Sequence, residues 1–164
     1  MSGTALQTIE DYLAASYEWE PEYVRGVIQE RPMPTRFHGK LVYLLSRRLP
    51  AAVDASVECR LRLAPDVVRI ADLAIFTEPD SGEVYPNKPP LVTLEVLSPD
   101  DRVSEAIEKC EEYRTWGVAH IWVIEPRLQK FYVYTAGLSE RDRFELPEYG
   151  FCVTAESLFA AARQ

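Results

Sequence analysis

Two segments of this chain, "VVRIADLAIF" from Val67 to Phe76 and "LVTLEVL" from Leu91 to Leu97, are apolar on both alternating faces. That is the pattern of strands covered from two sides, and it commits the chain to a sheet packed between other layers. Yet each segment carries a carboxylate where a core strand has none, Asp72 in the first and Glu95 in the second. A carboxylate withdrawn from water costs several kcal/mol unless a partner charge, a proton or a metal compensates for it. The fold therefore has to supply something to two acids.

At 164 residues, with 47% hydrophobic side chains, the chain has the material for one core, and a single domain spanning residues 1–164 is expected. No apolar run approaches the roughly 18 residues a membrane span needs, and the stretch "MSGTALQTIEDYL" lacks the basic start and apolar block of a secretory signal. A soluble, cytoplasmic protein without a membrane partner is expected. Three cysteines, Cys59, Cys110 and Cys152, stand at wide spacings beside only two histidines, which argues against a structural zinc site or a disulfide framework. Any metal would be a hard cation held by oxygens. The net charge of −8 is unevenly spread, with nine Lys or Arg against four Asp or Glu between Arg25 and Arg69. An acidic protein can thus still present a basic face to phosphates.

The periodicities predict helices flanking a central mixed sheet, an α/β or α+β arrangement. Thr8 and Asp11 form a capping signal for a short helix running to about Ser16. "EYVRGVIQERPMP" reads as a strand pair bent at Gly26, and "HGKLVYLLSRRLP" as a helix with Leu41, Val42, Leu45 and Leu49 on one face. "SVECRLRLA" alternates Val57, Cys59, Leu61 and Leu63 against charged residues, as a half-buried strand does. "DDRVSEAIEKCEEYRTWG" predicts a helix capped by Asp100 or Asp101 and stopped at Gly117. "AHIWVIEP" and "KFYVYTAG" predict two strands, on which Trp122, Tyr132 and Tyr134 pack the sheet, and "AESLFAAARQ" a terminal helix.

On the helix after Glu95, about 100° per residue places Trp116, Tyr113, Ala106, Cys110 and Ile107 on one core-facing arc. Lys109 falls inside that arc, so its ammonium can be aimed at the same carboxylates. The competing readings are a lysine reaching past Trp116 to solvent and acids neutralised by Arg69 or Arg102.

Asp72 on one strand, followed by Glu95 on the next, resembles the PD-(D/E)XK nucleases, and more closely their Uma-type restriction endonuclease branch. The stretches that carry the resemblance are "YVRGVI", a His before a Leu-rich helix, "APDVVRIADLAIF", "LVTLEVLSPDDR", "KCEEYRTWGVAHIWVIEP" and "FYVYTAG". Two departures stand out: Ala71-Asp72 replaces Pro-Asp, and Glu95-Val96-Leu97 lacks the strand lysine, whose place Lys109 on the next helix matches. The resemblance implies a restriction-endonuclease-like fold and hydrolysis of DNA phosphodiester bonds with Mg²⁺ or Mn²⁺. Asp72, Glu95 and the Val96 carbonyl would hold the ion, with Lys109 to orient or deprotonate the water. Glu22 would serve a second ion or its water. Cutting two strands implies a homodimer. Lys40, Tyr43 and Arg47 are candidates for contact with DNA, as against a merely solvated face, and so is His38, as against packing or capping. A nuclease-fold module without catalysis, serving to bind nucleic acid or to assemble, and a small-molecule metallohydrolase remain the rival readings.

Overall fold

The computed structural model describes residues 6–164, so the first five residues of the stretch read as lacking a secretory signal lie outside it. A capping box at Thr8 and Asp11 opens α1 (Ile9–Ala14). A hairpin follows, β1 (Glu22–Val24) and β2 (Val27–Gln29), turned by Arg25 and Gly26 at φ 49° and 88°. Two consecutive left-handed residues make the tight turn whose twist suits a hairpin, and Gly takes the second position without steric cost. Then come α2 (Arg36–Ser46), β3 (Asp54–Ala64), β4 (Val67–Phe76), β5 (Val92–Val96) and α3 (Val103–Trp116). The chain ends with β6 (His120–Glu125), β7 (Lys130–Tyr134), β8 (Leu138–Arg141), β9 (Arg143–Leu146), β10 (Phe151–Thr154) and α4 (Ala155–Ala162).

The strands of the main sheet run in the order β2-β1-β4-β5-β6-β7-β8, with β3 paired along β4. Only β5 and β6 are parallel, and α3 makes the crossover that a parallel pair requires. The sheet is thus mixed, mostly antiparallel, and flanked by helices. One face carries Leu73, Leu94, Val96 and Trp122 and is covered by α2, α4 and the β9–β10 hairpin. There Phe144 is sandwiched between Phe131 and Trp122, with ring centroids 4.0 and 4.6 Å away. The other face carries Ala71, Ala74, Ile121 and Val123 beneath Cys110 and Tyr113 of α3.

Several local expectations need correction. Neither Asp100 nor Asp101 caps α3: its N-cap is Arg102 without a side-chain bond, and the Asp101 carboxylate accepts from the Ser98 N–H instead. Ile107 lies at the solvent edge of its arc and is exposed. Val57, expected inside, is also exposed, because the backbone of β3 turns left-handed at the next residue, Glu58. The polar segment 138–154, which shows no clear period, forms β8, β9 and β10. All three cysteines are free thiols. Among the described residues no helix is long and apolar enough to cross a membrane.

The feature that positions the site is an opening beside β4. Along one edge this strand is paired with β3 from end to end. On the opposite edge β1 holds only Val67 and Val68, and β5 holds only Leu73 to Ile75. Between them, Arg69 to Asp72 have no strand neighbour on that side, and side chains satisfy what the ladder leaves open.

Candidate active site

The opening is filled by acids and their partners. Glu22 comes from the first residue of β1, and its Oε1 accepts from the N–H of Ile70 at 2.9 Å, replacing a ladder bond. The carbonyl of the same Ile70 accepts from Lys109 Nζ at 2.7 Å. Asp72 performs the same service one step on: the β4–β5 ladder stops at Leu73–Leu94, and Asp72 Oδ2 takes the N–H of Val96 at 2.7 Å. Glu95, on the same β5 segment, is bonded through Oε2 to Lys109 Nζ and through Oε1 to the Tyr113 hydroxyl, both at 2.9 Å. Lys109 and Tyr113 are one helical turn apart on α3, so one face of that helix supplies both partners.

Lys109 does not reach solvent. Its Nζ also lies 2.7 Å from Glu22 Oε1, so that one ammonium joins two carboxylates and a carbonyl. Burial would strip its proton, but Glu22, Glu95 and Asp72 outweigh burial and hold its pKa above the ordinary lysine value. Burial likewise opposes the charge on Glu22, and Lys109, Arg69 and the Ile70 N–H more than offset it, lowering its pKa. Glu95 goes the other way: burial and the like charges of Asp72 and Glu22 overcome Lys109 and push its carboxyl up to about 7.

The arginines are placed differently from expectation. Arg69 binds Glu22 at 2.9 Å and Glu112 at 2.6 Å, and contacts neither Asp72 nor Glu95. Arg102 is exposed and faces Glu105. The cation on Asp72 is Arg31, from the segment between β2 and α2, with Nη2 3.2 Å from Oδ1 and Nη1 2.6 Å from Glu58. His38 faces the same oxygen, with Nε2 3.3 Å away. Burial works against its charge, but Asp72 raises the imidazole pKa, and the same interactions keep Asp72 below the usual carboxylate range despite burial.

A small cavity of about 110 Å³ opens onto Glu22, Asp72, Glu95, Val96 and Lys109. Of the other residues singled out, Tyr43 and Arg47 are exposed on α2, with the guanidinium 5.5 Å from the Tyr43 ring centroid, and Lys40 is half-buried. None of the three contacts Asp72 or Glu95. The sequence reading missed Arg31, Glu58 and Tyr113. For Glu58 and Arg31 no periodicity could have shown it, since one lies on an exposed position of β3 and the other in a loop. Tyr113 could have been found: it is four residues after Lys109, on the face that the wheel already turns inward.

A protein from Anabaena variabilis ATCC 29413, described as "a putative nuclease belonging to DUF820", superposes on this chain with a TM-score of 0.77. The two are 22% identical, and the match covers 95% of this chain and 99% of that one, so the fold is shared. No curated protein matches the sequence. The family model Uma2, described as "Putative restriction endonuclease", matches residues 9–156, which include every acid of the opening beside β4. The chain belongs to the Uma2 restriction endonuclease family.

Proposed function

We propose that the chain is a divalent-metal-dependent endonuclease that hydrolyses DNA phosphodiester bonds, with Asp72, Glu95 and Lys109 as its catalytic residues. The observation that carries this reading is the opening beside β4, where three buried carboxylates and one inward lysine meet over main chain that no strand covers. The donor set suits Mg²⁺ or Mn²⁺: hard oxygens, and a Glu95 held near 7 by burial and neighbouring acids, which is a centre short of positive charge. Asp72 and Glu95 would hold the ion, with the main chain of Val96 beside them. When bound, such an ion stabilises charge on a phosphate oxygen and lowers the pKa of water.

The residues of the chain divide the remaining work. Lys109 keeps its proton among the acids, which makes it a fixed positive charge for the phosphate rather than a base. Glu22 binds Lys109 and Arg69 and takes the Ile70 N–H, so that it holds Lys109 in place beside β4. Tyr43 and Arg47 offer an aromatic face and a cation to a nucleic-acid strand on the α2 side. Cutting both strands needs two such sites, so we extend the reading to a homodimer.

Plasmid cleavage with Mg²⁺ or Mn²⁺ tests the assignment. The wild type is expected to nick and linearise supercoiled DNA, and Asp72→Ala, Glu95→Ala and Lys109→Ala to lose that activity by a factor of about 100 or more. A wild type that cuts while all three variants cut equally well would sink the reading.

A further inference from the structure

The Oδ1 side of Asp72 faces a second group of donors that the opening beside β4 does not use. Glu58 stands across from Asp72 in the β3–β4 register, between the pairs Val57–Leu73 and Cys59–Ala71. Its backbone is left-handed, φ 48°, a conformation that costs an L-residue about 1–2 kcal/mol. His38 is 7% exposed, and neither of its ring nitrogens completes a hydrogen bond, although Nε2 lies 3.3 Å from Asp72 Oδ1. A buried imidazole whose nitrogens complete no hydrogen bond is costly unless something else engages it. One ligand atom from each of His38, Glu58 and Asp72 lies within 4.8 Å of the others.

The spacing of His38 and Asp72 fits an ion. Two donors about 2.1 Å from one metal stand 3.3 Å apart when they subtend about 100°, an angle that tetrahedral or octahedral coordination accommodates. A positive group already holds the place: the Arg31 guanidinium bridges Glu58 and Asp72 at 2.6 and 3.2 Å. The cluster also has an entrance, because a largely apolar cavity of about 440 Å³ ends on Arg31, His38, Glu58 and Asp72. The same cavity gives the displaced Arg31 side chain somewhere to go.

We propose that His38, Glu58 and Asp72 form a second cation site, selective for a borderline transition-metal ion such as Zn²⁺ over Mg²⁺, whose place the Arg31 guanidinium holds in this structure. The imidazole sets the preference, since nitrogen ligands favour Zn²⁺ and its neighbours in the first row, whereas Mg²⁺ demands oxygens. Binding releases any imidazole proton to solvent and frees Arg31 from both carboxylates. The site shares Asp72 with the proposed nuclease centre but needs no cleavage to be observed.

Calorimetric titration of the full chain with Zn²⁺ and with Mg²⁺ tests it, in a Cys152→Ser background because Cys152 is an exposed thiol. Zn²⁺ is expected to bind at least about tenfold tighter than Mg²⁺. His38→Gln and Glu58→Gln should each weaken Zn²⁺ about tenfold or more while leaving the response to Mg²⁺ unchanged. Glu95→Gln should leave Zn²⁺ binding unaffected. Arg31→Gln removes the competing cation and should tighten Zn²⁺, a direction that a damaged fold cannot produce. Should His38→Gln fail to fold, Glu58→Gln on its exposed strand position and Arg31→Gln decide the matter. Zn²⁺ binding that is insensitive to Glu58→Gln, or that weakens in Arg31→Gln, overturns the proposal. An inactive wild type that shows this Zn²⁺ pattern would overturn the nuclease reading alone.

Discussion

Replacing Glu95 by Gln should make the protein more stable above neutral pH while abolishing any metal-dependent activity. The carboxyl of Glu95 titrates at 4.5 when unperturbed and is pushed up to about 7 in the fold by burial and by Asp72 and Glu22. The folded chain therefore holds a proton that the unfolded chain releases. The stability associated with that proton is complete below about pH 4.5 and is lost as pH rises through about 7. At 1.36 kcal/mol per pH unit, the interval corresponds to about 3 kcal/mol by pH 8. Glutamine has no proton to lose, and its amide can still accept from Lys109 and meet the Tyr113 hydroxyl, so the variant avoids that loss. For a chain of this length about 3 kcal/mol is worth roughly 6–12 °C in Tm. Urea denaturation of wild type and Glu95→Gln at pH 5 and pH 8 measures the effect. The variant's advantage should appear at pH 8 and shrink toward zero at pH 5. Mg²⁺ added to the wild type should narrow the difference at pH 8, because an ion that binds the ionised carboxylate stabilises the folded state. A variant that loses stability at pH 8, or a difference independent of pH, would refute the view that like charge and burial dominate Glu95.

Lys109→Met should do the reverse. With Glu22 and Glu95 left without the ammonium they share, the fold should lose about 3–5 kcal/mol at pH 8, read from the same urea titrations. Part of the loss should be recovered in the double variant with Glu95→Gln; strict additivity of the two would show that the pair is not coupled. Glu58→Gly should be neutral or stabilising by up to about 1 kcal/mol, because the left-handed backbone costs glutamate more than glycine loses in chain entropy. A loss above about 1 kcal/mol on thermal denaturation would mean that the Glu58 side chain, through Arg31, matters more than its backbone.

The layers of the fold were legible because buried strands and amphipathic helices write their periods into the chain. Asp72 and Glu95 stood out for the same reason, as carboxylates in segments otherwise free of them, and the turn of α3 brought Lys109 inward by angle alone. Position along the chain could not show who meets whom across the sheet. Arg69 looked like the natural partner of Asp72, three residues away on one strand, but that odd spacing turns it to the other face, toward Glu22 and Glu112. Arg31, from the loop just before Pro32 and Pro34, took the place instead, and nothing periodic marks a loop. Glu58 was hidden for a different reason: strict alternation turned it outward, and only a backbone reversal brings it beside Asp72. The segment 138–154 has charged and turn residues scattered through its strands, so β8 emerges from pairing with β7, and β9 and β10 from pairing with each other, rather than from the segment's own pattern.

The opening beside β4 is bounded by hydrogen-bonded strands, not by loops. Its width is fixed by where two ladders end, at Val68 and at Leu73, along a single continuous strand that β3 holds straight on the far side. Insertions in the connection between β2 and α2, which lines the cavity with Glu30, Arg31, Pro32 and Pro34, can therefore reshape what approaches the acids without moving the acids relative to one another. Specificity and chemistry are mechanically separate in such a molecule, and descendants of this chain are free to change one while inheriting the other intact.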